Sequence, residues 1–332
     1  MLPLCTLLAA ALVPFAGAAG LGLQPRSPAK SYSRRDTPDQ ACGFTNPVSG
    51  SRGLKTVHRL QVSDDLPRRK EHEPVIVKVN LHAGLPSNAT DDYVSAEQLY
   101  RQFEVLKKEY APYDIFMELG NITRNLDNRL TSLEMEFDDE DDLSGSTPAI
   151  EAWWKRRRTG DYKTLNIFVY EKIQGAQGLC NFPDEDRTPE NYYLDACHIV
   201  ADSIPGSGSD SAWNAGGAAV HEVGHWFGLL HVWSDDCDDE GDLVGDTAQQ
   251  TSPSIVMNDS EDGRCALKES DSCPGKPGKD NANNFMDYAG DDCAEEFTLG
   301  QRARMHNVYH SIRSKMSSKH PVARRQRDWT GF

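Results

Sequence analysis

The run Val75-Ile76-Val77-Lys78-Val79-Asn80-Leu81-His82 opens on β-branched residues and then alternates apolar with polar, the two-residue period of a strand. From Asp91 to Tyr110 the period lengthens: Val94, Leu99, Phe103 and Leu106 make one apolar stripe of a helix, which Asp91 or Asp92 can cap. Ile115 to Leu119 predicts a second strand, Ala149 to Arg158 a second helix, Leu165 to Tyr170 a third strand and Cys197 to Ala201 a fourth. A Gly- and Ser-rich loop at 205–209 leads to a helix beginning near Ala212 to Gly216. Thr298 to Lys315 predicts a last helix, with Thr298 as its cap. Strands alternating with helices, then an irregular C-terminal half, predict an α+β fold: a mixed sheet packed by helices, with a smaller lower subdomain. Residues 21–70 are rich in Pro, Ser and charge, the composition of loosely ordered chain. There is no internal repeat.

Composition adds a compartment. Leu2 to Phe15 is mostly apolar and Ala16-Gly17-Ala18 offers a small-residue cleavage site, so residues 1–18 read as a secretory signal, although no basic residue stands at its start. The stretch is short for a bilayer, and no other segment is apolar enough to span one. A secreted, extracellular protein is expected. Residues 1–70 hold ten Lys and Arg against four Asp and Glu, so residues 71–332 carry −22 of a whole-chain net of −16. An acidic body argues against nucleic acid as a partner. The run Lys155-Arg156-Arg157-Arg158 reads as a solvated helix face, and Asp138 to Asp142 as a solvated loop.

Eight cysteines include Cys5 in the signal, which leaves an odd seven. Export permits disulfides, and Cys237, Cys265, Cys273 and Cys293 alone allow three connectivities. Cys42 lies in the leader, 19–70, upstream of the first strand. It has two readings: a thiolate that fills an open metal position until the leader is removed, or an unpaired cysteine without regulatory meaning. Arg68-Arg69-Lys70 is a processing site before a domain at 71–318, and Arg34-Arg35 is an alternative that would leave Cys42 on the mature chain. Residues 319–332 form a basic tail. Asn88, Asn121 and Asn258 head N-glycosylation sequons.

The chemistry is concentrated in His221-Glu222-Val223-Gly224-His225-Trp226-Phe227-Gly228-Leu229-Leu230-His231. Histidines four apart on a helix are rotated by only about 40°, so both imidazoles can reach one metal. A continuous helix would carry His231 roughly 15 Å up the axis. A third ligand there requires the helix to stop and turn, which Gly228 permits by taking a positive φ. Three neutral nitrogens, one open position and the adjacent carboxylate of Glu222 describe a catalytic zinc site. Downstream stands a second compact segment, Asn284-Phe285-Met286-Asp287-Tyr288.

These motifs, with Gly241-Asp242-Leu243-Val244-Gly245-Asp246-Thr247 and Phe297 to Met305, resemble the pappalysin family of metzincin metalloproteases. The chain is most similar to its short, secreted, ulilysin-like members, many of them fungal extracellular proteases. The similarity covers roughly residues 72–318. It departs at Ala248, where the family usually has Pro, and near Cys180, where it favours a small non-cysteine residue. The resemblance implies a metzincin catalytic domain with an upper, mostly parallel sheet and a lower subdomain holding the Met-turn at Met286 and the C-terminal helix. It implies zinc on His221, His225 and His231, Glu222 as general base and Tyr288 as a donor to the developing oxyanion. It also implies the pairs Cys237–Cys273 and Cys265–Cys293, with Cys180–Cys197 then a local bridge. Asp242, Val244 through its carbonyl, Asp246 and Thr247 resemble a calcium loop, although acidic loops are also commonly just solvated.

The activity implied is that of a monomeric zinc endopeptidase, its substrate laid as an added strand near Gly178 to Asn181. The acidic body hints at basic residues in that substrate. The rival is a catalytically silent zinc module that binds proteins, whose signature would be a missing Glu222 or Met286. Both are present.

Overall fold

The computed structural model describes residues 73–319 except 135, 138–142, 145, 186–187, 210, 256–264 and 266–268. The signal, the leader with Cys42, both processing sites, the acidic loop 138–142, Asn258 and the tail beyond Lys319 lie outside the described residues.

The centre is a five-stranded sheet. β1 (Val75–Leu85) is flanked by β2 (Ile115–Leu126) and β3 (Thr164–Tyr170), and β5 (Cys197–Val200) and β4 (Gly178–Cys180) complete the order β2-β1-β3-β5-β4. All neighbours are parallel except β4, which runs antiparallel to β5 at the edge. One face carries α1 (Ala96–Tyr110) and α3 (Gly217–Trp226), packed on Val75, Val77, Val79, Leu165, Ile167 and Val169. The other carries α2 (Pro148–Arg157), whose Trp153 and Trp154 pack on Phe168 and Tyr170. Covering both faces explains why β3 reads as a continuous apolar run and not an alternating one. Beyond α3 the chain is irregular until α4 (Leu299–Val308), which continues through one π-helical turn, Tyr309–Arg313, into Ser314–Lys319. Among the described residues no helix is long and apolar enough to cross a membrane.

Four expectations change. α1 starts at Ala96 because Ser95 and Gln98 form a reciprocal capping box; Val94 is buried but sits in a turn at φ 45°, and Asp91 pairs with Arg124. β2 runs on past Leu119. Its register against β1 shifts at Asn80, where Gly120 and Asn121 form a bulge, and that extra residue breaks the alternation in the sequence. The last helix is interrupted by its π turn. Arg158 is not solvated: its guanidinium donates to Asp195 at 2.7 Å, and both side chains are buried.

Candidate active site

α3 is built to hold its side chains rigidly. Gly216 stands before it at φ 101°, and Asp291 accepts hydrogen bonds from the N–H groups of Ala215 and Gly217, at the positive end of the helix dipole. All ten residues of the helix are buried, including His221, Glu222 and His225. The helix then ends sharply. Gly228, at φ 85°, donates to His225 O at 2.8 Å, and Leu229 donates to Gly224 O at 3.0 Å. The turn brings His231 back beside the other two. Arg313, from the π turn, donates twice to Trp226 O and lies 3.4 Å over the Trp226 ring, fixing the carbonyl end of the helix.

The three Nε2 atoms lie 3.1 Å (His221 to His225), 3.2 Å (His225 to His231) and 3.2 Å (His221 to His231) apart. His221 Nδ1 stands 2.7 Å from Phe285 O and His225 Nδ1 2.8 Å from Leu229 O. A carbonyl only accepts, so these contacts put the proton on Nδ1 and leave lone pairs on Nε2. Burial holds all three imidazoles neutral: His221 is brought down to about 4, and His225 and His231 well below their ordinary value. Lone pairs converging in a dry pocket repel one another unless a cation joins them. Three neutral imidazoles suit a transition metal such as zinc. Among the described residues this is the one group of His, Cys, Asp or Glu side chains placed to hold a metal ion.

The floor and walls follow. Met286 is fully buried and its sulfur packs on Gly224, where any side chain would overlap it. Asn284 Oδ1 accepts from Met286 N at 2.9 Å, and its amide exchanges hydrogen bonds with Gln301 of α4. Buried Asp287 accepts from Ser254 N and Gln250 Nε2, and burial pushes its carboxyl up. Tyr288 Oη lies 3.3 Å from His231 Nε2, at the mouth of the cluster. Glu222 is buried against the edge strand: a Cβ on Gly178 would lie 2.7 Å from Glu222 Cγ.

Sequence reasoning missed Asp291, Gln301, Arg313 and Trp233, whose ring stacks 4.3 Å from that of His231. Asp291 and Arg313 act from other parts of the chain and carry no local signal. Gln301 stands in the segment Phe297 to Met305 and completes a Thr-x-x-Gln capping box with Thr298, and Trp233 follows His231 by two residues, but neither spacing announces what the side chain supports.

The bridges are Cys180–Cys197, joining directly opposed residues of β4 and β5, Cys237–Cys273 and Cys265–Cys293. In the loop from Gly241 to Thr247, Asp242 is buried and Thr247 Oγ1 lies within reach of both Asp242 Oδ1 and Val244 O. Asp242 Oδ2 is buried without a hydrogen-bond partner, and burial pushes the carboxyl up to about 6. Asp246 is engaged elsewhere, accepting from Thr298 Oγ1 and Gly300 N at the start of α4. Asn88 and Asn121 are exposed.

Known proteins share this sequence pattern and this fold. A peptidase family profile described as pregnancy-associated plasma protein-A matches residues 151–310. An extracellular metalloprotease of Neurospora crassa is 36% identical over 243 residues, 73% of this chain and 77% of that protein. One of Pyricularia oryzae is 38% identical over 229 residues, 69% and 72% of the two chains. Among solved structures, mature mirolysin of Tannerella forsythia, in complex with a cleaved peptide, superposes with a TM-score of 0.57 at 24% identity, covering 74% of this chain and 96% of that one. A second mirolysin structure, with a bound compound, gives 0.58 at 23% identity over 75% and 98%. At that identity the likeness speaks for the fold alone, and it is the same mixed sheet with helices.

Proposed function

Because the chain belongs to the pappalysin family of metalloproteases, we propose that it is a secreted zinc endopeptidase in which Glu222 is the general base and Tyr288 the oxyanion donor. The observation that carries this reading is the convergence of three buried Nε2 atoms beside a buried carboxylate that lies against an edge strand.

Zinc held by His221, His225 and His231 would supply Lewis acidity, lowering the pKa of a water toward about 7 and polarising a carbonyl. Glu222 takes the proton of the attacking water and passes it to the departing amine. Tyr288 donates a hydrogen bond to the carbonyl oxygen as charge develops there. The substrate backbone adds to β4, whose outer side no described strand occupies, so that the scissile bond passes Glu222. Export agrees with the signal-like start and the three bridges. The mirolysin structure with a cleaved peptide supports a protein or peptide as substrate. Asp242, Val244 and Thr247 offer oxygen donors for calcium, and the orphaned Asp242 Oδ2 is the atom such an ion would satisfy.

The test is casein cleavage by the purified protein, with a chelator and with zinc restored. Cleavage lost to the chelator and regained with zinc is expected. A zinc-loaded protein, trimmed to Glu71 to remove Cys42, that still leaves casein intact would overturn the reading in favour of a silent zinc-binding module.

A further inference from the structure

We propose that Asn121 carries an N-linked glycan that shields the outer edge of the sheet opposite the substrate strand. The inference rests on the export of the chain.

The sheet has two edges. β4, at one, runs past Glu222 and is kept open for substrate. β2, at the other, is 12 residues long, and among the described residues it has a strand partner, β1, on its inner side only. A long edge with apolar side chains is a template for pairing with another chain, so such edges need protection.

The far half of β2 has a guard. Arg124 donates to Thr90 O, Tyr93 O and Val94 O, and pairs with Asp91, which draws loop 90–94 against the strand. Among the described residues no side chain straps a loop across the near half, whose one charged residue is Glu118. Phe116 is 46% exposed, and Ile76, its register partner on β1, is 51% exposed. Leu119, on the other face, is 38% exposed.

Asn121 stands where the two halves meet, in the bulge. Its N–H is used inward, donating to Asn80 Oδ1 at 2.8 Å, while its side chain is exposed. This position therefore offers solvent a side-chain amide within an apolar edge, and Thr123 completes the Asn-Ile-Thr sequon. In the fold Thr123 Oγ1 lies 2.9 Å from His82 Nδ1, so transfer precedes docking of the strand. The donor is a lipid-linked oligosaccharyl diphosphate. The bond from Asn121 Nδ2 to the sugar C1 forms as the C1–O bond to the diphosphate breaks. The lipid diphosphate leaves, and the amide proton goes to a base of the transferase. Asn88 provides the contrast. It lies in a turn closed by Ala89 N donating to Pro86 O, outside the exposed patch of Ile76, Phe116 and Leu119.

The experiment uses the full chain secreted from a eukaryotic host. Release by a peptide-N-glycosidase in heavy-oxygen water, which hydrolyses the side-chain amide and leaves a labelled Asp where a glycan stood, followed by peptide mapping reads occupancy at Asn121. Sedimentation velocity then compares the native protein with N121Q and N88Q, and casein cleavage is followed in each. The expected result is occupancy at Asn121, a shift of N121Q from monomer to dimer and larger species, N88Q remaining monomeric, and unchanged cleavage per monomer in dilute N121Q. Should N121Q fail to be secreted, native protein deglycosylated after folding is measured in its place, with the same shift expected. An unmodified Asn121 overturns the proposal, and so does an edge that stays monomeric once the sugar is gone.

Discussion

Gly224, in the third turn of α3, and Met286, in the loop beneath it, are in direct contact: the sulfur occupies the space a Cβ on Gly224 would take. The helix is therefore set at its height by the methionine, and the methionine is held in turn by Asn284 and Gln301. Gly224→Ala must move either the helix or the floor. Gly→Ala in a helix interior ordinarily stabilises by about 1 kcal/mol. Here the expectation is the reverse: a lower Tm and weaker zinc retention under chelator competition, with Met286→Ala partly restoring Gly224→Ala. Native zinc retention in the Gly224→Ala protein would refute the packing argument.

Glu222 and Gly178 make a second tight contact, and it links the carboxylate to the edge strand β4. If Glu222 is the general base, Glu222→Gln keeps the shape and removes the base, so cleavage should fall by about 10²–10⁴-fold with zinc still bound. Gly178→Ala keeps the base and displaces it, since the added methyl would lie 2.8 Å from Glu222 Oε1. It should lower kcat and also raise KM, because β4 itself must shift. Steady-state kinetics of the two variants separate these effects; a Gly178→Ala enzyme with native constants would mean that β4 does not press on the base.

Tyr288 reaches the mouth of the histidine cluster with Oη 3.3 Å from His231 Nε2 and its ring against Trp233. Tyr288→Phe keeps the ring contact and removes the hydroxyl. If Oη donates to the oxyanion, kcat falls by roughly 10²–10³-fold with KM little changed. A rise in KM alone would place the hydroxyl in ground-state binding.

What could be read in the sequence, and what could not, divides along physical lines. His221, Glu222, His225, Gly228 and His231 were legible because helix geometry alone makes their spacing meaningful, and the turn at Gly228 is where that geometry requires it. The sheet was legible where strands alternate or run apolar, and it blurred at Gly120 and Asn121, where one extra residue shifts the period. The start of α1 was misplaced because acidic residues at 91 and 92 compete with Ser95, and only the reciprocal bond with Gln98 decides between them. Arg158 was misread because it ends a run whose first members, Lys155 and Arg156, are exposed; its partner Asp195 lies 37 residues on. Asp291 and Arg313 act across long separations, and no local pattern announces them, while Gln301 sits in a Thr-x-x-Gln cap whose spacing says nothing of its partner Asn284.

Asp242 gives the pH prediction its sign. Burial raises its folded pKa to about 6, against an unfolded value of about 3.9, so without a cation the folded chain holds the proton more tightly. The stability this contributes is fully present below the unfolded value and is lost as pH rises through about 6. Two pH units are worth on the order of 3 kcal/mol, or a Tm change of roughly 5–10 °C in a domain of this size. Calcium acts in the opposite direction, because it favours the ionised carboxylate and stabilises only the state that binds it. Added calcium should therefore raise Tm clearly at pH 7.5 and much less at pH 5. Asp242→Asn should abolish the calcium response and flatten the pH dependence above 5, while Asp246→Asn, whose carboxylate holds the start of α4, should lower Tm with or without calcium. Thermal melts at the two pH values, with calcium and with a calcium-selective chelator, decide the matter. A Tm that ignores calcium at pH 7.5 would leave Asp242 as a buried acid serving only the turn from Asp242 to Thr247.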